Sequence, residues 1–282
     1  MTLKALDVPG LLRSQGLTPR KGLGQNFLMD PVVLDKVVNA AGVTAEDVVL
    51  EIGPGLGSLT RHLARAARQV TAVEIDGNLI PLLQQVLAAE PNVRVIHADI
   101  LELDPAEIMG GDPYLVVANI PYYITSAILR HLLDSQNRPQ RLALTVQREV
   151  AERICAAPGD LSLLALSVQV YGSPRPVLRI PAGAFYPPPN VDSTTLRIDL
   201  HPQPRIPSAR LDAFFRLARA GFSQKRKTLR NALSGGLGWK PDQGAKLLQA
   251  AQIDPQRRAE TLTIEEWARL TAAFLEENIK AV

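Results

Sequence analysis

A single cysteine, Cys155, stands among 282 residues. One thiol cannot build an internal disulfide framework, and such sparing use suits a reducing, cytoplasmic compartment. With no partner in view, Cys155 reads as a small buried hydrophobe rather than a nucleophile. Long apolar runs are missing too: the longest, around "LSLLALSVQV", is too short to cross a bilayer. The opening "MTLKALDVPGLLRSQG" has no apolar h-region, so no secretory signal is expected. There is no internal repeat. Disorder is not the default either, because 46% of the residues are hydrophobic and only 21% charged. A chain of this length holds one large domain, or a large one with a small companion.

Charge is scarce overall but unevenly placed. The formal net charge is +3, yet from His201 onward 14 Lys and Arg face 8 Asp and Glu, while the first 200 residues hold 17 against 20. A neutral-to-acidic body with a basic tail suits a polyanionic partner, although a solvated helical surface reads the same way.

Four β-branched apolar runs recur with helical patterns between them: "VVLEIG" (48–53), "QVTAVEID" (69–76), "VRVIHAD" (93–99) and "YLVVANI" (114–120). Runs so uniformly apolar imply parallel strands covered on both faces, hence a βαβ winding with right-handed crossovers. "RLALTVQ" (141–147), "PRPVLRIP" and "STTLRIDL" add three later strands, after a helix pair at about 148–171. Beyond the linker "HPQPRIPS" only helical patterns remain. The expected organisation is an α/β domain over 1–203, with an N-terminal flap over 1–30, and an all-α domain over 204–282.

The first run leads into "EIGPGLGSLT", with glycines at 53, 55 and 57 before a helix. Such a loop lets a ligand approach the backbone at a helix N-terminus. It is not a dinucleotide fingerprint, because Ser58 stands where the last glycine belongs, and it lacks the Lys of a phosphate-binding P-loop. Glu74 ends the second strand, where a carboxylate can accept from both hydroxyls of a ribose. Asp99 ends the third, where it can accept from an adenine amine. Each acid alone reads equally as a strand-end cap. Together, at the carboxyl edges of consecutive strands, they describe S-adenosylmethionine.

The fourth run delivers "NIPYY" to the same edge. In isolation this is an Asn-initiated turn stiffened by proline. Beside a sulfonium it suits adenine N6, whose lone pair is delocalised into the ring. The Asn119 side-chain oxygen and the Ile120 carbonyl can hold both N–H hydrogens and favour a pyramidal nitrogen, Pro121 stiffens the turn, and Tyr122 can stack on the base. The basic run "SQKRKTLRNAL" places Lys225, Arg226, Lys227 and Arg230 on an expected helix, and Arg20 and Lys21 add charge to the flap, all candidates for phosphate contact.

From "RKGLGQNFLMD" through "EIGPGLG", "NIPYYI", "QREVAERI" and "FYPPPNVDS" to "GFSQKRKTLRNAL", the chain resembles the bacterial small-subunit ribosomal RNA adenine-N6 dimethyltransferases. The resemblance implies a Rossmann-like, seven-stranded class I methyltransferase fold. It implies cofactor contacts at Asn26, Leu28, Gly53, Glu74, Asp99 and Asn119, with Gly55 and Gly57 in the loop, and a second aromatic lid on the flipped adenine at Phe185. It also implies two adjacent adenines in a terminal rRNA hairpin as target, an immature 30S particle as substrate, and no metal. Position 120 is more often Leu in that family, and "APGDLS" (157–162) replaces a usually longer loop. A monomer without membrane attachment is expected. The alternatives are a large-subunit rRNA methylase of the macrolide-resistance type, a DNA adenine methyltransferase, for which no target-recognition domain is evident, and a non-catalytic assembly factor on the same scaffold.

Overall fold

The computed structural model describes residues 3–280, with side chains as far as Glu276. The first two residues of the expected flap and the last two of the expected tail domain lie outside them. The chain folds into two compact units. One runs to Ala151 and takes in Pro174–Leu200; the other joins Glu152–Ser173 to the residues from His201 onward. A break after residue 203 leaves Glu152–Ser173 with the first unit. The structure groups that stretch with the tail because its bonds lead there: Gly159 N–H donates to the Glu260 carbonyl (2.8 Å) and Arg205 N–H to the Val170 carbonyl (2.8 Å).

In the first unit a short strand β1 (Phe27–Leu28) precedes β2 (Val48–Ile52), β3 (Gln69–Glu74), β4 (Val93–His97), β5 (Leu115–Asn119) and β6 (Arg141–Gln147). They are followed by β7 (Gly172–Ile180, its first two residues belonging to the second unit), β8 (Phe185–Tyr186) and β9 (Ser193–Leu200). Seven of these form one sheet in the order β4-β3-β2-β5-β6-β9-β7, with β2 to β6 parallel and β9 antiparallel to β6. All seven expected strands are present. Burial on both faces holds for β2, which is buried along its whole length, but not for β4, an edge strand only partly covered.

Among the helices, α1 (Val8–Ser14) lies in the N-terminal segment, and α2 (Pro31–Ala41) starts where Asp30 caps the Val32 and Val33 N–H groups. Helix α3 (Ser58–Ala66) links β2 to β3, and α4 (Ile80–Val86) links β3 to β4. The latter is shorter than its sequence pattern because Pro81 is tolerated only in the first turn. After α5 (Pro105–Met109), helix α6 (Thr125–Asp134) links β5 to β6. Leu34, Val37, Val38 and Ala41 of α2 pack with Leu63, Val70 and Leu115 into one apolar cluster.

The second unit holds α8 (Leu163–Gln169), reached through α7 (Arg148–Ile154), then α9 (Leu211–Phe222), α10 (Leu229–Leu237), α11 (Pro241–Ala250) and α12 (Ile264–Lys280). Glycines let these helices cross closely. A Cβ on Gly236 of α10 would lie 2.7 Å from the Ala220 Cα of α9, whereas one on Gly235 would meet only the Gln224 side-chain amide at 3.0 Å. Backbone cannot yield as a side-chain tip can. Gly236→Ala is therefore expected to destabilise the protein by about 1–3 kcal/mol, overpacking outweighing the gain in helix propensity. Gly235→Ala should be neutral or slightly stabilising, and thermal melts of the two variants test the contrast.

Candidate active site

Helix α3 leaves β2 toward β3, while α6 leaves β5 toward β6 on the other side, so the strand order reverses between β2 and β5. In open α/β sheets ligands bind in the crevice that opens at such a point. A cavity of about 300 Å³ lies there, lined among others by Glu51, Gly53, Glu74, Asp99, Asn119 and Tyr122. The expected site residues Asn26, Leu28, Gly55, Ile120 and Pro121 line it as well.

Glycine is required at two points of the loop. Gly53 has φ +69°, and a Cβ there would meet no atom within 4 Å, so its bare backbone faces open cleft. Gly55 has φ +59°, and its Cβ would sit 2.8 Å from the Phe27 ring. Gly55 N–H donates to Glu74 Oε2 (2.9 Å) and Asp76 N–H to Glu74 Oε1 (2.8 Å). Glu74 is buried; burial pushes its carboxyl above the ordinary range, opposed by those N–H groups, with the Asp76 charge adding to the rise. Each oxygen keeps a further lone pair for a ligand hydroxyl. Asp99 accepts from Leu101 N–H through Oδ1 (2.9 Å).

At the end of β5, Asn119 Nδ2 donates to the Asn26 carbonyl (2.9 Å). Because a carbonyl only accepts, this bond decides which way the amide points and leaves Oδ1 to accept from another donor. The Tyr122 and Ser193 hydroxyls lie 2.6 Å apart, fixing the ring at the cleft wall. Of the expected flap, segment 23–28 forms one side of the cleft.

Several expected positions lie elsewhere. Gly57, with φ +86°, faces the Leu83, Val86 and Leu87 side chains and does not line the cleft. Phe185 is 2% exposed and packs with Leu28, Val37 and Ile180, because pairing of β8 with β1 turns it into the core rather than over a base. Arg20 is paired with buried Asp76 (3.1 Å), so its charge is already partly neutralised. Lys21 is exposed. Lys225, Arg226 and Lys227 are exposed too, but on the turn between α9 and α10; only Arg230 is helical, since α10 starts at Leu229.

Among the cleft residues that were not expected, three bear on its chemistry. Gln25 and Tyr123, the latter 64% exposed, line the cleft at its rim. Glu51 lies deep in it, 1% exposed, with its pKa pushed up to about 8 by burial, opposed by the Thr60 hydroxyl and reinforced by the Glu74 charge. Its Oε2 and the Thr60 Oγ1 have no hydrogen-bond partner at bonding geometry among the described residues. The available signal was an acid inside the otherwise apolar "VVLEI", costly unless it serves a ligand.

Residues 16–275 match the family model described as ribosomal RNA adenine dimethylase. The chain belongs to that family. It is 48% identical over 268 residues to the ribosomal RNA small subunit methyltransferase A of Dehalococcoides mccartyi, covering 94% of this chain and 92% of that protein. The crystal structure of a dimethyladenosine transferase from Plasmodium falciparum matches with a TM-score of 0.74 at 26% identity, covering 91% of this chain and 98% of that one. That of the 23S rRNA methyltransferase ErmE matches at 0.69 and 29%, covering 88% and 99%. This rRNA adenine dimethylase is thus an enzyme, a methyltransferase on the class I fold. Among the described residues no helix is long and apolar enough to cross a membrane.

The raised pKa of Glu51 has a testable consequence for this dimethylase. Between the usual carboxylate value and about pH 8 the folded protein keeps a proton that the unfolded chain releases. Its stability therefore falls as pH rises through that window. Glu51→Gln removes the effect. Its melting temperature should match the parent near pH 5 and exceed it by about 2–4 °C or more at pH 8, as thermal melts across that range would register.

Proposed function

We propose that the protein transfers methyl groups from S-adenosylmethionine to N6 of two adjacent adenines in small-subunit ribosomal RNA, acting as a monomer on an immature small subunit. The observation that carries this reading is the Asn119 amide, tied by its nitrogen to Asn26 so that Oδ1 is left to accept in the cleft. The residues present fit the cofactor. Gly53 offers open backbone, Glu74 keeps acceptor capacity for a ribose, Asp99 has a second oxygen for an adenine amine, and Glu51 holds an unpartnered oxygen. When bound, S-adenosylmethionine supplies a methyl group already activated on a sulfonium.

Asn119 Oδ1 and the Ile120 carbonyl accept both N6–H bonds of the target adenine, making its lone pair available. Their dipoles also face the positive charge that develops on nitrogen, where fixed dipoles act most strongly. Ile120 is 2% exposed, so its side chain is packed away and the contact to adenine falls to its main-chain carbonyl. No general base is assigned, because the cationic product amine gives up its proton to water. Extruding the base from its stack costs a few kcal/mol, and stacking on an aromatic face returns about 1–3 kcal/mol. Tyr122, anchored by Ser193, supplies one face; with Phe185 in the core, Tyr123 at the rim is the second aromatic within reach. The exposed turn Lys225–Lys227 holds RNA phosphates.

The deciding experiment incubates the enzyme with labelled S-adenosylmethionine and, separately, under-methylated small subunits, large subunits and duplex DNA, then maps the label. Label on two neighbouring adenines of small-subunit RNA is expected; exclusive labelling of large subunits or DNA overturns the reading. Asn119→Ala should bind cofactor within a few-fold of the parent while losing about 10²–10³ in turnover, and near-normal turnover would remove its catalytic role. Replacing Lys225, Arg226 and Lys227 together by alanine should weaken RNA binding and flatten its log–log salt dependence by roughly 0.7–0.9 per lost phosphate contact. An unchanged slope in filter-binding titrations would show that these cations are not the anchor.

A further inference from the structure

The Asn119 amide is held from outside its own strand, by a carbonyl of the N-terminal segment, and that segment is in turn held by an acid with no role so far. Asp76 follows the proposed ribose acid Glu74 by two residues and is 3% exposed. Its Oδ2 accepts from Gln25 Nε2 (2.8 Å), and its Oδ1 from Arg20 Nη1 (3.1 Å) and Asn78 N–H (3.1 Å). Gln25 Oε1 in turn accepts from Arg20 N–H (2.8 Å), closing the turn in which Gly24 is left-handed with φ +61°. Two side chains from the segment thus converge on one carboxylate. The segment also packs against the catalytic turn: a Cβ on Gly24 would lie 3.1 Å from Pro121 Cβ and 3.3 Å from the Tyr123 ring.

We propose that Asp76 and Gln25 are positioning residues for methyl transfer, forming a latch that holds segment 20–28 against the cleft and so fixes the Asn26 carbonyl that orients Asn119. The proposal rests on the reading of Asn119 given above. The latch joins the cofactor side of the site to the adenine side, because Asp76 N–H also donates to Glu74. Its two arms differ in weight. Arg20 is 53% exposed, and an ion pair open to solvent contributes little. The Gln25 bond reaches a buried carboxylate, and losing it leaves that charge short of a donor, which is costly.

The test is a double-mutant cycle on the full chain. Gln25→Glu sets two carboxylates face to face. Asp76→Asn sets an amide donor against the Gln25 donor, while the one side-chain oxygen left at position 76 still serves Arg20 and Asn78. The double variant restores one donor facing one acceptor with the polarity reversed. Each single variant should speed tryptic cleavage after Lys21 and lower kcat at saturating cofactor by about tenfold or more, and the double variant should return both to within about threefold of the parent. Unchanged cleavage in the single variants overturns the latch, and so does a double variant no better than its parents. Cleavage is read without RNA, so failure of the functional reading looks different. In that case the cleavage pattern and its rescue stand while Asn119→Ala turns over normally, which overturns the link to Asn119.

Discussion

Neighbouring parallel strands whose connections leave in opposite directions cannot both be covered at their carboxyl ends, and the candidate cleft depends on that constraint. β2 and β5 lie side by side, with Val49 opposite Leu115, yet α3 and α6 carry the chain away to either side. The space between them is filled by neither helix. Four groups of the cleft body sit at or just past a strand end: Gly53 after β2, Glu74 closing β3, Asp99 after β4 and Asn119 closing β5, while Glu51 lies inside β2. Placed earlier in its strand, such a group lies under a helix with its polar atoms unsatisfied. Placed later, it sits on a loop, which holds direction less well. The strand end is where direction is held and solvation is still adjustable.

This explains which features the chain shows in its residues alone. Runs such as "VVLEI" and "YLVVA" are apolar because both faces of a central parallel strand are covered, so strand number and order of winding are legible. Glu74, Asp99 and Asn119 are legible because polar residues break those runs where the sheet ends. What sequence could not reveal is what packs opposite. Gly57 belongs to the same loop as Gly53, but only the position of α4 decides that it faces Leu83 instead of ligand. Phe185 is sent to the core by its two-residue pairing with β1, far away in sequence. Lys225–Lys227 continue a helical composition, yet α9 stops at Phe222 and the cations occupy a turn. The grouping of Glu152–Ser173 with the tail rests on main-chain bonds to Glu260 and Arg205, invisible to any pattern.

The cleft also works against folding. Glu51 and Glu74 are both buried, their charges disfavour one another, and Glu51 keeps an unpartnered oxygen. Apolar residues there would fold more stably. The compensation is local: Gly55 and Asp76 N–H groups fall on Glu74, and the N-terminal segment closes over the loop with Phe27 against Gly55. Asn119 receives its orientation from Asn26, 93 residues earlier. No single strand or turn holds the site, so its geometry exists only when sheet and segment have both folded.

The two units place opposite demands on their polar residues. In the cleft Glu74, Asp99 and Asn119 are directed by short bonds, as the proposed discrimination between one purine amine and another requires. The exposed cations at 225–227 need no such direction, because phosphate attraction is long-ranged, screened by salt and blind to sequence. It does need a firm platform, since cations on a loose segment lose entropy on binding that offsets their attraction. The close crossing of α9 and α10 at Ala220 and Gly236 supplies it by holding the two helices that flank the turn. On the proposed function, charge sets how tightly RNA is held, while the choice of base falls to the cleft, where an error of orientation at Asn119 is costly and a change of salt matters little.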